Sequence, residues 1–237
     1  IDRCLQLTLI ISTAMATIFE QADELYSKGE LQAAIDLLGA DDSASALYRK
    51  ARWSCDVADQ TKDAKEKERI LRLAEKDALL SVEKGPTMHE TYRTVAVAKG
   101  KLQELVGMTE KVKLAKEIKE YVEKALEIKP TDGGSWHVLG MWHAGVTKLG
   151  WVTRQALQAL YLGNFPHASN EKAIECLQNA QQHWPNASSC MQLGKIYKME
   201  KKDEEAKAWL SKSLEMPSDL PISRLAQEEA RELLSKW

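Results

Sequence analysis

The stretch CMQLGKIYKMEKKDEEAKAWLSKSLEMP, residues 190–217, decides the fold. Leu193, Gly194 and Tyr197 fall at helical spacing, Ala206 and Leu210 resume that spacing after a polar break, and Pro217 ends the run. Two short amphipathic helices are the direct reading. A small residue in each, Gly194 and Ala206, lets the backbones approach closely, while Leu193, Tyr197 and Leu210 fill the space between them.

This is the arrangement of the tetratricopeptide (TPR) repeat, W-x2-L-G-x2-Y, then A-x3-F, then P, with Cys190 in the tryptophan slot. One such pair cannot bury its apolar faces alone, so neighbours are expected along the chain. Upstream, Trp136, Leu139 and Gly140 match the first helix, with His143 in the tyrosine slot, and Ala173, Leu177, Ala180 and Pro185 match the second. Trp136 and Ala173 lie 37 positions apart, against 16 from Cys190 to Ala206, so about 21 residues are inserted between the halves. The inserted stretch, roughly Gly145 to Phe165, contains LGWVTRQALQALYLG, is itself amphipathic, and is expected to extend the repeat as extra helix. Tyr92, Val95 and Ala96 pair with Ile118, Val122, Ala125 and Pro130 across an insertion of about ten residues. Leu47 and Ala51 begin a weaker match that returns through Leu71, Ala74 and Ala78 before Pro86. Ala22, Leu25, Gly29, Ala34 and Leu38 form a short unit at the front.

LAQEEARELLSKW, at the other end, reads as a polar-faced capping helix. Strand signals are almost absent. The expected fold is therefore all-α: a TPR-like superhelix of helical hairpins, an α-α solenoid of four to five pairs with extended or inserted helices and a C-terminal cap. It is expected to form a single domain over residues 15–237. Residues 1–14 read as a flexible or non-native leader, because the regular amphipathic pattern begins just after Met15.

Composition narrows the function. The 237 residues are 44% hydrophobic and 29% charged, which suits a globular core, and the formal net charge of −2 offers no overall attraction for nucleic acid. Cys4, Cys55, Cys176 and Cys190 are scattered without ligand spacing, so neither a zinc site nor a disulfide framework is expected, and a reducing cytosol fits. The apolar run Leu5 to Ile11 is far shorter than the roughly 20 residues that span a bilayer, so no transmembrane segment is expected. No nucleophile elbow, phosphate loop or paired-carboxylate spacing occurs, so neither an enzyme nor a cofactor is expected. The aromatic stretch SWHVLGMWHAGVTKLGW, residues 135–151, reads as packing, with Trp136 the repeat's own tryptophan and Trp142 and Trp151 at the junction with the inserted helix. His137 and His143 are six positions apart and do not share a helix face, so no metal site is expected there.

The combination ALEIKPTDGGSWHVLGMW, LGW, ALYLGNFPHAS, EKAI and LGKIY resembles the regulator of microtubule dynamics family, most strongly over Tyr121 to Pro217. Trp136, Leu139, Gly140, Trp142, Leu149, Trp151, Leu160, Gly163, Pro166 and Ser169 carry the resemblance, with Ala173, Gly194, Tyr197 and Ala206 supplied by the repeat itself. These residues look structural. The resemblance implies a divergent, helix-expanded TPR-like domain. For short soluble members it also implies a cytoplasmic place on the cytoskeleton, spindle and spindle poles, with tubulin, microtubules or a spindle-associated protein as partner. Longer relatives with a membrane anchor and contact-site roles imply the alternative of a phospholipid ligand.

In a TPR stack the first helix of each pair lines the concave face, and the positions one and five after the tryptophan slot point into it. With Leu47, Tyr92, Trp136 and Cys190 in that slot, the groove receives Tyr48, Arg52, Arg93, Val97, His137, Met141, Met191 and Lys195. Eight and nine positions on it receives Cys55, Asp56, Gly100, Lys101, Ala144, Gly145, Lys198 and Met199. Arg52, Arg93, Lys101, Lys195 and Lys198 stand against Asp56, so a basic groove is expected. Such a groove could hold an extended acidic segment, such as a C-terminal tail of tubulin. Alternatively its cations pair with acids of neighbouring repeats and form an ordinary solvated face. A third occupant is a lipid, with Met141, Met191 and Met199 against its chains and the cations on its phosphate.

Overall fold

The computed structural model describes residues 17–150, 167–218 and 221–237, together with positions 153, 155, 158 and 159. Residues 1–14 and the signature residues Trp151, Leu160, Gly163 and Pro166 lie outside the described residues. Among the described residues every regular element is a helix. In chain order they are α1 (17–27), α2 (Leu31–Leu38), α3 (Ala44–Gln60), α4 (Ala64–Lys84), α5 (His89–Leu102) and α6 (Met108–Ile128). There follow α7 (Gly133–Thr147), α8 (Asn170–His183), α9 (Ala187–Met199), α10 (Asp203–Glu215) and α11 (Pro221–Leu234). Inside the inserted stretch, Thr153, Gln155, Gln158 and Ala159 are helical.

Starts are fixed by side-chain caps. Ser43, Asp63, Asp132, Ser169 and Asn186 each accept the backbone N–H three residues on, opening α3, α4, α7, α8 and α9. The helices then pack in sequence, α3 with α4, α5 with α6, α7 with α8 and α9 with α10, and α11 docks on α9 and α10. The first helices α3, α5, α7 and α9 also neighbour one another, so one side of the stack is made of first helices. This is the TPR-like solenoid expected from the sequence.

The close approach within each pair has a visible cause. A Cβ placed on Gly140 would lie 2.7 Å from Leu177 Cγ, and one on Gly194 would lie 2.6 Å from Leu210 Cγ. Ala173 and Ala206, fully buried, present their carbonyl oxygens to the same two glycines. Fully buried Ala51 and Ala96 fill the corresponding slot in α3 and α5, so those pairs accommodate a methyl group.

Successive pairs are joined by aromatic hydrogen bonds. The slot residues Tyr92 and Trp136 each donate to the carbonyl of a proline six residues earlier, Pro86 at 3.1 Å and Pro130 at 2.8 Å. Trp142, buried in the core, donates from Nε1 to the Ala115 carbonyl at 2.6 Å and ties α7 back to α6. Its ring meets His143 edge-on at 5.0 Å. Tyr197, in the tyrosine slot of α9, is half-buried beside Leu193 and Ile196.

The second and third pairs are longer than the last. α4 and α6 run 21 residues each, against 13 for α10, so the extra length appears as added helical turns. Lys99 of α5, only 5% exposed, extends to Glu75 of α4 at 2.6 Å and to Glu117 of α6 at 2.7 Å. In the stretch from Lys111 to Lys119, Val112, Leu114, Ala115 and Ile118 are buried in the core, while Lys113, Lys116 and Lys119 each pair with a glutamate four residues on. No helix among the described residues is long and apolar enough to cross a membrane.

Candidate functional site

The residues expected in the groove lie on α3, α5, α7 and α9, but Cys55, Ala144 and Met191 among them are buried in the core between helices. Arg52 of α3 donates to Asp56 Oδ1 at 2.6 Å, and Tyr26 of α1 donates to Asp56 Oδ2 at 2.9 Å. Burial, the Arg52 charge and Asp56 act together on the Tyr26 hydroxyl, and burial prevails, pushing it up to about 12. Tyr48 lies half-buried with the Arg49 guanidinium 4.9 Å from its ring centroid, and Arg49 is in turn held by both oxygens of Asp23.

Arg93 of α5 donates to Asp132 Oδ1 at 2.5 Å. The same carboxylate caps α7 through the Ser135 N–H at 2.9 Å and accepts the Ser135 hydroxyl. Burial alone would raise the Asp132 carboxyl, but Arg93 and Ser135 together hold it below its ordinary value. Lys101, at the end of α5, pairs with Asp59 of α3.

His137 of α7 shares a 2.8 Å hydrogen bond with Ser189 of α9 and meets the Trp184 ring edge-on at 6.3 Å. Burial, and after it the charge of Arg52, push this imidazole down to about 4, so it is neutral near pH 7. Met141, one turn further along α7, is exposed.

Lys195 of α9 donates to Glu229 of α11 at 2.5 Å. Lys198 lies 3.8 Å from the centroid of the Trp237 ring. All five expected groove cations therefore have a partner inside the chain: Asp56, Asp132, Asp59, Glu229 or Trp237. Arg52, Arg93, Lys101 and Lys195 nevertheless keep 21–28% of their side-chain surface open.

Counting inward positions along the first helices found Asp56 but missed the other partners. Asp132 sits at the α7 N-cap, Asp59 lies on α3 at a position outside that count, and Glu229 belongs to the capping helix. The cap position of Asp132 was legible from Asp-Gly-Gly-Ser before an apolar run. Nothing local marks Glu229, because its partner lies 34 residues away.

A cavity of about 550 Å3 opens on this side of the molecule. Lys28, Gly29, Asp56, Asp59 and Gln60 line it from the front of the stack, and Ile222, Arg224 and Leu225 line it from the first turns of α11. The front and the cap thus meet around one opening.

Stacked helix pairs, glycine or alanine at each close approach and a polar face of first helices define a TPR-like helical-repeat protein. Consistent with this, the fold is similar to that of TTC0263, a thermophilic TPR protein of Thermus thermophilus, with a TM-score of 0.64 at 18% identity over 92% of this chain and 98% of that one. The family described as regulator of microtubule dynamics protein 1-3 matches residues 18–237. Regulator of microtubule dynamics protein 1 of Bos taurus is 30% identical over 223 residues, 92% of this chain and 70% of that protein. Regulator of microtubule dynamics protein 3 of Xenopus laevis is 28% identical over 195 residues, 81% of this chain and 42% of that protein. The chain belongs to the regulator of microtubule dynamics family.

Proposed function

We propose that this chain is a non-enzymatic, microtubule-associated interaction protein, which uses its concave face to hold an extended acidic segment of tubulin or of a spindle factor. The observation that carries the reading is the set of Arg52, Arg93, Lys101 and Lys195, carried by three of the four first helices, α3, α5 and α9, and each partly open to solvent. Lys101 and Lys195 are matched by carboxylates in partly exposed ion pairs, worth only about 0–1 kcal/mol, whereas Asp56 and Asp132, the partners of Arg52 and Arg93, are buried. Exchanging an internal carboxylate for one on a partner is then nearly neutral at Lys101 and Lys195, while Arg52 and Arg93 keep their buried partners and add positive charge along the face. Association gains from steering and from both exchanges along one chain, and it weakens steeply with salt.

A lipid occupant draws less support from the cavity. Its lining sets the carboxylates Asp56 and Asp59 against the cations Lys28 and Arg224, so it carries no net positive charge for a phosphate, and only Ile222 and Leu225 offer aliphatic surface to an acyl chain.

Microtubule co-sedimentation across a salt series tests the proposal, with the intact chain compared to an Arg93→Glu, Lys195→Glu double variant of matched helical content. Subtilisin-trimmed microtubules, which lack the acidic tails, provide the second arm. The expected result is loss of pelleting with either change. Pelleting that survives both would reject the groove as the binding face.

A further inference from the structure

The five groove cations are not held alike. Arg52, Arg93 and Lys101 pair with acids of the stack itself, whereas Lys195 and Lys198 are covered by α11 and the residues after it. Leu225 and Glu229 are one turn apart on α11. Leu225 lines the cavity and is 58% exposed, and Glu229 reaches Lys195, so this side of the helix looks into the concave face. The opposite side anchors it. Ala226 and Ala230 are buried, and Gln227 Nε2 donates to the carbonyls of Ser213 at 3.2 Å and Met216 at 2.7 Å.

Lys148, just past α7, shares the surroundings of Lys195. Partial burial and then the charge of Lys195 hold its ammonium below the ordinary value, and Glu229 opposes them. The carboxylate that pairs with Lys195 is thus also felt at Lys148. If Glu229 swings out, the Lys195 ammonium is left without its carboxylate, which is an environment for a foreign carboxylate.

We propose that Glu229 and Trp237 form an intramolecular clasp over Lys195 and Lys198, and that an acidic partner segment binds by taking the place of Glu229. The proposal rests on the acidic-segment reading of the groove above. Because α11 is anchored through Ala226, Gln227 and Ala230, its carboxylate can be exchanged while the helix stays docked. A competitor tethered on the same chain acts at high effective concentration and lowers the apparent affinity by the fraction of time it occupies the lysines.

The test is a low-salt anisotropy titration of a fluorescein-labelled oligoglutamate peptide into the full chain, Glu229→Gln, and Glu229→Gln with Trp237→Ala, at matched helical content by circular dichroism. Glu229→Gln is expected to tighten binding about two- to fivefold, the scale of one surface ion pair. Adding Lys195→Gln should abolish that gain. Equal or weaker binding by Glu229→Gln overturns the clasp, and so does a peptide that binds neither chain. If the peptide behaves as expected but tailed microtubules do not pellet, the microtubule reading fails and the clasp stands. Tail-dependent pelleting together with an oligoglutamate affinity unmoved by Glu229→Gln would instead remove the clasp and leave the groove.

Discussion

Gly194 has no room for a methyl group. Its Cβ would lie 2.6 Å from Leu210 Cγ and 3.1 Å from the Ala206 carbonyl oxygen, and the second of these is backbone that cannot swing aside. Gly194→Ala is expected to cost about 1–3 kcal/mol through overpacking, read by urea denaturation. Gly100, inside α5, is the control, because a methyl group there would meet nothing within 4 Å. At that position the same change removes only the entropic penalty of glycine and should stabilise by about 0.5–1 kcal/mol. Equal effects at the two sites would refute the packing account of the repeat glycine.

Among the elements, α4, α5 and α6 are cross-linked by one buried charge. Lys99 is 5% exposed between Glu75 and Glu117, and burial, which would lower its ammonium, is outweighed by these two carboxylates, which raise it. Removing the lysine leaves two half-buried carboxylates facing each other. Lys99→Met is therefore expected to destabilise the chain by about 1–3 kcal/mol, and Glu75→Gln in that background should restore part of the loss. A stabilised single variant would show that hydrophobic replacement wins at this site.

The helices themselves were legible because their signals are local. Gly194 to Tyr197, Ala206 to Leu210, and the caps at Asp132, Ser169 and Asn186 each lie within a turn or two of the structure they specify. The lengthening of the α5–α6 pair was legible too, as unequal spacing between its two halves, whereas that of α4 lay in a weaker match. The charge balance of the groove was not. Arg93 meets Asp132 39 residues away, Lys101 meets Asp59 42 residues away, and Lys195 meets Glu229 34 residues away. Those pairings depend on how one repeat is rotated against the next, a quantity that no single helix encodes.

For the whole molecule, acid is the informative stress. Burial comes first in pushing both His137 and His143 down to about 4, with Arg52 adding to it at the former and Lys172 and Lys119 at the latter. His143 is buried in the tyrosine slot, and its Nδ1 has no hydrogen-bond partner among the described residues. An imidazole depressed in this way stays neutral in the folded chain while the unfolded chain protonates near its ordinary value of 6.5. Its contribution is complete above pH 6.5 and is lost progressively as pH falls towards about 4. The melting temperature should therefore drop between pH 7 and pH 4.5, and His143→Tyr should flatten the decline. A melting temperature constant over that range would contradict the neutral buried pair.

The opening lined by Lys28 and Asp59 at the front and by Arg224 and Leu225 on α11 gives the entrance a kinetic character. Helix packing elsewhere runs between neighbours and next-but-one neighbours, a low contact order that favours rapid zipping of the stack and lets it loosen unit by unit. Helices at the two ends of the described stack are held from fewer sides than α5 to α8, and sub-global opening begins where neighbours are fewest. The entrance draws Lys28 and Gly29 from one end and Ile222, Arg224 and Leu225 from the other, with Asp56, Asp59 and Gln60 supplied by the well-packed α3. Amide hydrogen exchange is therefore expected to be faster at Lys28, Gly29 and the first turns of α11 than in α5 to α8.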